Sequence, residues 1–412
     1  MKWVGLLDCN NFFVSCERLF RPDLAKRPVV VLSSNDGCVV ARSQEVKDMG
    51  IPMGVPHFKV KKEFEEAGVV VFSSNFTLYR DISARVMRVL REEVVDFAQY
   101  SVDEAFFRVS EADLSEAQIR CIKEVVERKV GVPVSIGVAK TKTLAKFANH
   151  KAKQGPGVFI LSDDIWQKEA KAVPIGSLWG VGGGMSRKFV DKGISTPDDL
   201  MQADSAQIAR VFGVVGTRLQ SELLGKPTEP LRSKVELQHS IMSTRSFGET
   251  TDELSALEKA LAHHVEHATK ELREMGAVAR SFKLLMRPSR FSDFAMQGIY
   301  EDIHLNEPTD DTRVFLTEAM RCLRRQHRAG IPYKKAGVVI YDITDKSATT
   351  SSLFETVLDT GVMSVVDTIN KKFGPDGVTF FGQNKQKALT KNAWNSGHKT
   401  TRWSDIPRVK AI

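Results

Sequence analysis

The run Gln99-Tyr100-Ser101-Val102-Asp103-Glu104-Ala105-Phe106-Phe107 places two adjacent carboxylates in an apolar stretch that otherwise has the composition of a β-strand. Burying an ionised carboxylate without compensation costs several kcal/mol, so Asp103 and Glu104 either mark a hairpin turn in water or meet a cation. A second run ends the same way: Trp3-Val4-Gly5-Leu6-Leu7 leads into Asp8, and Cys9-Asn10-Asn11-Phe12-Phe13 then opens a helical pattern. If the two strands are neighbours, three carboxylates reach one sheet edge beside a helix start. Such an edge suits Mg2+ and phosphate, because Mg2+ takes one or two carboxylates plus substrate phosphates and helix N-termini attract anions.

Outward from these runs, strands and helices alternate. Residues 29–32 and 37–41 read as strands, 43–49 as a short helix stopped by Gly50 and Pro52, 69–72 as a strand and 77–94 as a helix. A helix at 115–129 and a strand at 134–138 follow the acidic run, so this part is an α+β sheet domain. From Lys140 the lysines recur through Lys153 at helical spacing, which on an ordinary helix is a solvated face. Residues 175–184 and 185–200 read as two short helices joined by a glycine-rich turn, a helix-hairpin-helix. The backbone N–H groups of Gly180, Gly182 and Gly183 can meet a DNA phosphate there without reading sequence, with Arg187 and Lys188 just beyond. Lys226-Pro227-Thr228-Glu229-Pro230 begins a linker, and strand 240–247, helix 253–274, strands 277–286 and 295–305, helix 310–326 and strand 336–341 make a separate βαββαβ unit.

Four hundred and twelve residues allow two to four domains, and 42% hydrophobic content is ordinary for globular protein. The formal charge of +8 is uneven: residues 139–192 hold ten Lys/Arg against four Asp/Glu, and residues 346–412 ten against five. Clustered positive charge favours polyanions such as nucleic acid. The five cysteines show no zinc-binding spacing, and a reduced cytoplasm is the expected setting. The segment before Asp8 is too short for a signal-peptide apolar region, and no 18 apolar residues run together.

In combination, the motifs resemble those of Y-family translesion DNA polymerases, most closely the UmuC type, the catalytic subunit of bacterial DNA polymerase V. The resemblance runs almost end to end and is carried by residues 7–13, by Phe20-Arg21-Pro22-Asp23-Leu24, by Ser34-Asn35-Asp36-Gly37-Cys38-Val39-Val40-Ala41-Arg42, by Phe72-Ser73-Ser74-Asn75, by residues 100–106, by residues 141–146 with Ala148-Asn149-His150, and by Arg245-Ser246-Phe247-Gly248-Glu249. It implies a multidomain α+β right hand: a palm from 1–20 and 74–165, fingers at 21–73, a thumb with the helix-hairpin-helix at 166–227, a linker at 228–239, a little finger at 240–345 and a C-terminal tail at 346–412.

The resemblance also implies residue roles. Asp8, Asp103 and Glu104 match the family's metal-binding carboxylates and the Cys9 carbonyl a further ligand for two Mg2+ ions. Asn11, Phe12 and Phe13 lie where the triphosphate is cradled, with Phe13 at the steric gate that excludes ribose. Arg42, Lys47 and Lys153 match the stretches that supply cations to the triphosphate, although Gln44 stands where many relatives carry Tyr. Cys38, Val40 and Met53 correspond to the roof over the nascent base pair. Arg245 and the thumb turn are expected at DNA. Leu353 and Phe354 fall where UmuC-like chains carry a sliding-clamp peptide, with Thr350 in place of the usual Gln. A UmuD-type accessory dimer, a RecA filament and a role in the SOS damage response complete the expectation. Two other readings fit parts of the pattern: another palm-type nucleotidyl enzyme such as a cyclase, and a DNA-bound scaffold that is catalytically weak.

Overall fold

The computed structural model describes residues 3–231, 237–348, 361–373, 377–380, 392–397 and 399–406. Contacts divide the chain into two units, Met1–Lys234 with Asn392–Ile412 and Val235–Lys391, and the break falls inside the stretch read as a linker.

The first unit begins with β1 (Trp3–Cys9) and α1 (Phe12–Arg18). A three-stranded sheet follows, in which β2 (Val29–Leu32) lies between antiparallel β3 (Val39–Arg42) and parallel β4 (Val70–Ser73); α2 (Gln44–Asp48) and α3 (His57–Glu66) connect the last two. The chain then builds the main sheet through α4 (Phe76–Glu93), β5 (Phe97–Gln99), β6 (Glu104–Val109), α5 (Glu116–Val130), β7 (Val134–Ala139), α6 (Lys142–Gln154) and β8 (Val158–Ile160), with strand order β5-β6-β1-β7-β8. The helices α7 (Asp163–Glu169), α8 (Gly183–Val190), α9 (Pro197–Gln202) and α10 (Ser205–Leu223) finish this part.

The strands β1 and β7 are near-continuous apolar runs because both faces of the main sheet are covered. Leu7, Ile136 and Phe107 pack with Ile82, Val86, Ile119 and Val126 of α4 and α5 on one side. Val4, Leu6 and Phe106 pack with Leu144, Ala145 and Ala148 of α6 on the other. The helix α6 lies so close to β7 that a Cβ on Gly137 would come within 2.0 Å of the Asn149 nitrogen. Buried Asn149 then donates to the Leu6 and Ser135 carbonyls at 3.1 and 2.8 Å, which fixes α6 against β1 and β7.

The acidic run is both things its composition allowed: residues 100–103 form the turn of a β5–β6 hairpin, and Glu104 opens β6. The helix α3 was not expected; only Val60 and Phe64, with His57, are buried on it, too sparse an apolar stripe to read from sequence. The first helix of the expected helix-hairpin-helix is a single three-residue turn, Ile175–Ser177, since the glycines that follow allow no propagation. The third strand starts at Val39 rather than Gly37.

The second unit is β9 (Ser240–Thr251), α11 (Leu254–Glu274), β10 (Ala277–Pro288), β11 (Ile299–Thr309), α12 (Thr312–Gln326) and β12 (Tyr333–Asp345), the expected βαββαβ order. Its antiparallel sheet has order β11-β10-β12-β9. The strand expected at 295–305 begins four residues later, after a turn. A further helix, α13 (Gly361–Phe373), is held by the Arg273 guanidinium, which donates to both Asp367 oxygens at 2.7 and 2.9 Å. Leu353 and Phe354 lie outside the described residues. Among the described residues, no helix is long and apolar enough to cross a membrane.

Candidate active site

Antiparallel pairing sets Asp8 of β1 directly opposite Glu104 of β6. The main chain locks this register, since Cys9 N donates to the Asp103 carbonyl at 2.9 Å. Asp8 is buried and Glu104 half-buried, and each carries a lysine from α6: Lys153 Nζ lies 2.7 Å from Asp8 Oδ1, and Lys146 Nζ 2.6 Å from Glu104 Oε1. Lys146 and Lys153 are seven residues apart and so share one face of α6. Lys146 also sits over the rings of Tyr100 at 4.9 Å and Trp179 at 5.5 Å.

Burial pushes the Asp8 carboxyl up to about 7, against the pull of Lys153 and with the help of Glu104. Burial acts to raise Glu104 as well, but the bond and charge of Lys146 bring it below the ordinary value. Of the two, Asp8 therefore takes up a proton the more readily. Asp103 reaches the same edge from the turn, where its Oδ1 accepts from Ser101 Oγ at 2.6 Å. Asp8 and Glu104 face each other across β1 and β6, and Asp103 precedes Glu104 in the turn. Among the described residues, no three metal-ligating side chains converge on a single point. The donor set nevertheless fits a hard divalent cation, because every side-chain donor is a carboxylate oxygen and burial lifts Asp8, an effect that added positive charge opposes.

Cations from the small sheet gather beside this edge. Burial and the charges of Lys153 and Arg42 lower the Lys47 ammonium below its ordinary value, with Asp8 opposing them. Mutually repelling cations are what a polyanion site requires. Arg42 donates to the Ile51 carbonyl, so its guanidinium is braced within the small sheet's loop. Asn11 caps α1 in the left-handed region at φ 48° and makes no side-chain cap bond. Phe12 is buried, and Phe13 stacks on Tyr79 with ring centroids 4.4 Å apart and a 12° interplanar angle. Cys38 and Val40 are half-buried and Met53 is exposed.

The glycine turn has Gly180 at φ 85°, and Gly182, Gly183 and Gly184 have open space around them. Arg187 donates to the Gly183 carbonyl at 3.3 Å, and Lys188 to the Val211 carbonyl at 2.6 Å while lying over Phe212, so both side chains fold back onto their own segment. Arg245 is exposed on β9, an edge strand of the second unit and remote in sequence from the acidic edge. Sequence reasoning missed Lys146 and Ser101 as members of the site, and Tyr79 as the support of Phe13. The i, i+7 spacing from Lys146 to Lys153 was the available signal.

A family model described as the impB/mucB/samB family matches residues 7–150, and its C-terminal domain matches residues 238–353. The chain is 38% identical to Protein UmuC of Salmonella typhimurium over 98% of its own length and 100% of that protein's. It belongs to the UmuC-type Y-family DNA polymerases. This Y-family chain is also 35% identical to Protein MucB of Escherichia coli, and 26% identical to DNA polymerase IV 1 of Bacillus subtilis over 89% of the chain. The fold agrees: a Y-family DNA polymerase chimera, Dbh-Dpo4(243-245)-Dbh, superposes with a TM-score of 0.67 at 18% identity, covering 83% of this chain and 99% of that one. A domain of unknown function matches residues 360–409 of the UmuC-type tail.

Proposed function

We propose that this polymerase performs low-fidelity, template-directed synthesis past damaged bases by two-metal-ion nucleotidyl transfer. The observation that carries the reading is the cross-strand pair Asp8–Glu104 with the cations Lys47, Arg42 and Lys153 gathered beside it. Asp8, Asp103, Glu104 and the Cys9 carbonyl would hold two Mg2+ ions, which would lower the pKa of the primer 3'-hydroxyl and neutralise the charge of the triphosphate and leaving pyrophosphate.

The chain's own groups do the rest. Lys47, Lys153 and Arg42 draw in and orient the triphosphate, with the backbone at Asn11 and Phe12 alongside. As the triphosphate arrives it replaces Asp8 as the partner of Lys153, which frees the carboxylate. The Phe13 ring, held flat by Tyr79, occupies the space a ribose 2'-hydroxyl needs. Cys38, Val40 and Met53 form a small, compliant roof that presses weakly on an ill-fitting base. The turn from Gly180 to Gly183 and the exposed Arg245 contact phosphates, with no readout of sequence. The palm, fingers, thumb and little finger take the boundaries given by the resemblance. The setting is the bacterial cytoplasm during the SOS response, with a UmuD-type dimer and RecA as partners and a sliding clamp reached through Leu353 and Phe354.

Primer extension across an abasic template with Mg2+ tests this. The purified protein is expected to extend, and Glu104→Ala to bind the primer-template without extending it. Equal extension by both proteins would overturn the assignment.

A further inference from the structure

The tail packs on both halves of the nucleotide-binding region of the first unit. Trp394 pairs with Ser73 at the end of the edge strand β4: Ser73 N donates to the Trp394 carbonyl and Trp394 N to Ser73 Oγ, each at 3.0 Å. Ser73 Oγ in turn donates to Asp36 Oδ1 at 2.6 Å, and Ala393 N to Asp36 Oδ2 at 2.9 Å. The Trp394 indole meets the His57 ring edge-on at 5.2 Å. These contacts lie on the small sheet.

Two residues later the tail reaches the main sheet's helices. Asn75 caps α4 by accepting from Leu78 N at 3.2 Å, and its amide donates to Ser396 Oγ at 2.9 Å and the Gly397 carbonyl at 2.7 Å. Asn75 is 4% exposed, so the tail completes the bonding of a buried group. Lys399 lies 5.7 Å over the Phe20 ring. Inside this layer Glu17 is fully buried, and its Oε1 accepts from Tyr79 Oη at 2.8 Å. Burial raises the Glu17 carboxyl, and the Ser396 side chain, Tyr79 and the Lys399 charge act to bring it down. Tyr79 is itself buried and is the ring on which Phe13 stacks.

A continuous path therefore runs from Ser396 and Gly397 through Asn75, whose main-chain carbonyl accepts from Tyr79 N at 3.0 Å, to Tyr79 and Phe13, with Glu17 holding the Tyr79 hydroxyl. We propose that residues 392–397 and 399–406 form an intramolecular strap, and that Ser396, Asn75 and Tyr79, with Glu17 behind the Tyr79 hydroxyl, are positioning residues that hold Phe13 against the sugar of the incoming nucleotide. The inference rests on the reading of Phe13 as the wall against ribose, and it gives the matched segment of unknown function a task in substrate selection. Without the strap, the Asn75 amide loses both of its acceptors, the first turn of α4 that leads to Tyr79 is less firmly held, and the Phe13 ring gains freedom to tilt. A tilted ring admits the 2'-hydroxyl but leaves the carboxylates and the triphosphate cations in place.

The test is single-nucleotide insertion by the full chain, with matched deoxy- and ribonucleoside triphosphates, for the wild type, Ser396→Ala/Lys399→Gln, Trp394→Ala, Tyr79→Phe and Phe13→Ala. The two tail variants are expected to lower the deoxy-to-ribo ratio of kcat/KM by about tenfold, through a rise in ribonucleotide use. Their kcat for deoxynucleotide stays within about twofold of wild type. In the Tyr79→Phe background the same tail substitutions add less than their full effect, because both act through the Tyr79 ring. Lys399→Arg, added as the conservative variant, keeps the wild-type ratio. Trp394→Ala touches no group at Glu17 and reads the strap even if the double variant does not fold. An unchanged ratio in a folded tail variant, or tail effects that add fully to Tyr79→Phe, would overturn the strap. If Phe13→Ala itself leaves the ratio unchanged, the sugar-wall reading fails; if it lowers the ratio while the tail variants do not, only the strap fails.

Discussion

The two largest of the three sheets among the described residues, the main sheet of the first unit and the sheet of the second, treat charge in opposite ways. The main sheet of the first unit is covered on both faces, by α4 and α5 on one side and α6 on the other. Its edge carboxylates are therefore taken out of water, and lysines must accompany them. Among the described residues, α11 and α12 pack on one face of the second unit's sheet, and its edge strands β9 and β11 bury only Ile241, Phe247, Ile299 and Leu305. Its charged pairs, such as Asp302 with Lys283 and the Tyr341 hydroxyl, lie at the surface, where they are solvated and weak. Double coverage produces a place where charge costs energy and can do chemistry. Single coverage produces a broad polar face suited to contact.

The sharpest way to break this comparison is to remove a carboxylate from each sheet. Asp8→Ala is expected to lower nucleotide incorporation by about 4 kcal/mol of transition-state stabilisation, roughly a thousandfold. Asp302→Ala should leave the insertion rate unchanged. Rates within a factor of a few for the two variants would erase the distinction between the sheets.

The next effect in size is at Phe13. Phe13→Ala should cost about 2 to 4 kcal/mol of sugar discrimination, the scale of emptying a core-sized site. If Phe13 were a core residue and nothing more, stability and both activities would fall together with the ratio unchanged.

Much of this contrast was legible in the sequence. The two acid-terminated strands showed where the site lies, because apolar runs that end in carboxylates need a compensating partner, and the second unit's βαββαβ order followed from the 2-to-3.6 changes in periodicity. The side-chain partners were not legible. Nothing local says that Ser101 takes the Asp103 carboxylate or that Lys146 takes Glu104, because turn geometry and helix docking decide both. The helix α3 was invisible because only Val60 and Phe64 punctuate a charged segment. The tail was opaque for a different reason: Trp394 and Ser396 meet partners more than 300 residues away, at Ser73 and Asn75, through bonds largely to backbone, and these leave no pattern.

Glycine substitution sharpens the comparison at a smaller scale. In the main sheet a Cβ on Gly137 collides with the backbone of α6, and in the second sheet a Cβ on Gly337 would lie 2.2 Å from the Ser243 carbonyl oxygen. Each alanine should destabilise its own unit by about 1 to 3 kcal/mol. Only Gly137→Ala should also lower the insertion rate, because α6 carries Lys146 and Lys153. Thermal unfolding and single-turnover kinetics on the same preparations check both statements.

The smallest expected effect is a pH dependence confined to the second unit. Burial pushes the His264 imidazole down to about 3, and His263, Arg245, His267 and Lys335 add their positive charge, while His264 Nδ1 and Ser243 Oγ share a hydrogen bond at 2.9 Å. In the unfolded chain the ring takes a proton below its ordinary value of 6.5, whereas the folded unit resists until about 3. Stability is therefore complete above pH 6.5 and falls as the solution is acidified through that window. Amide exchange along β12 in the full chain should accelerate as pH drops below 6.5, beyond the intrinsic exchange trend, and His264→Gln should flatten the added slope.

The central claim is that the Asp8–Glu104 edge is a two-cation site rather than a structural ion-pair network. Its most direct measurement is the equilibrium binding of Mn2+ to the full chain, bound to a dideoxy-terminated primer-template and a matched deoxynucleoside triphosphate. The wild-type complex is predicted to take up two ions, and Asp103→Ala and Glu104→Ala to lose at least one of them at the same DNA occupancy. Undiminished uptake of both ions by either variant would contradict the account.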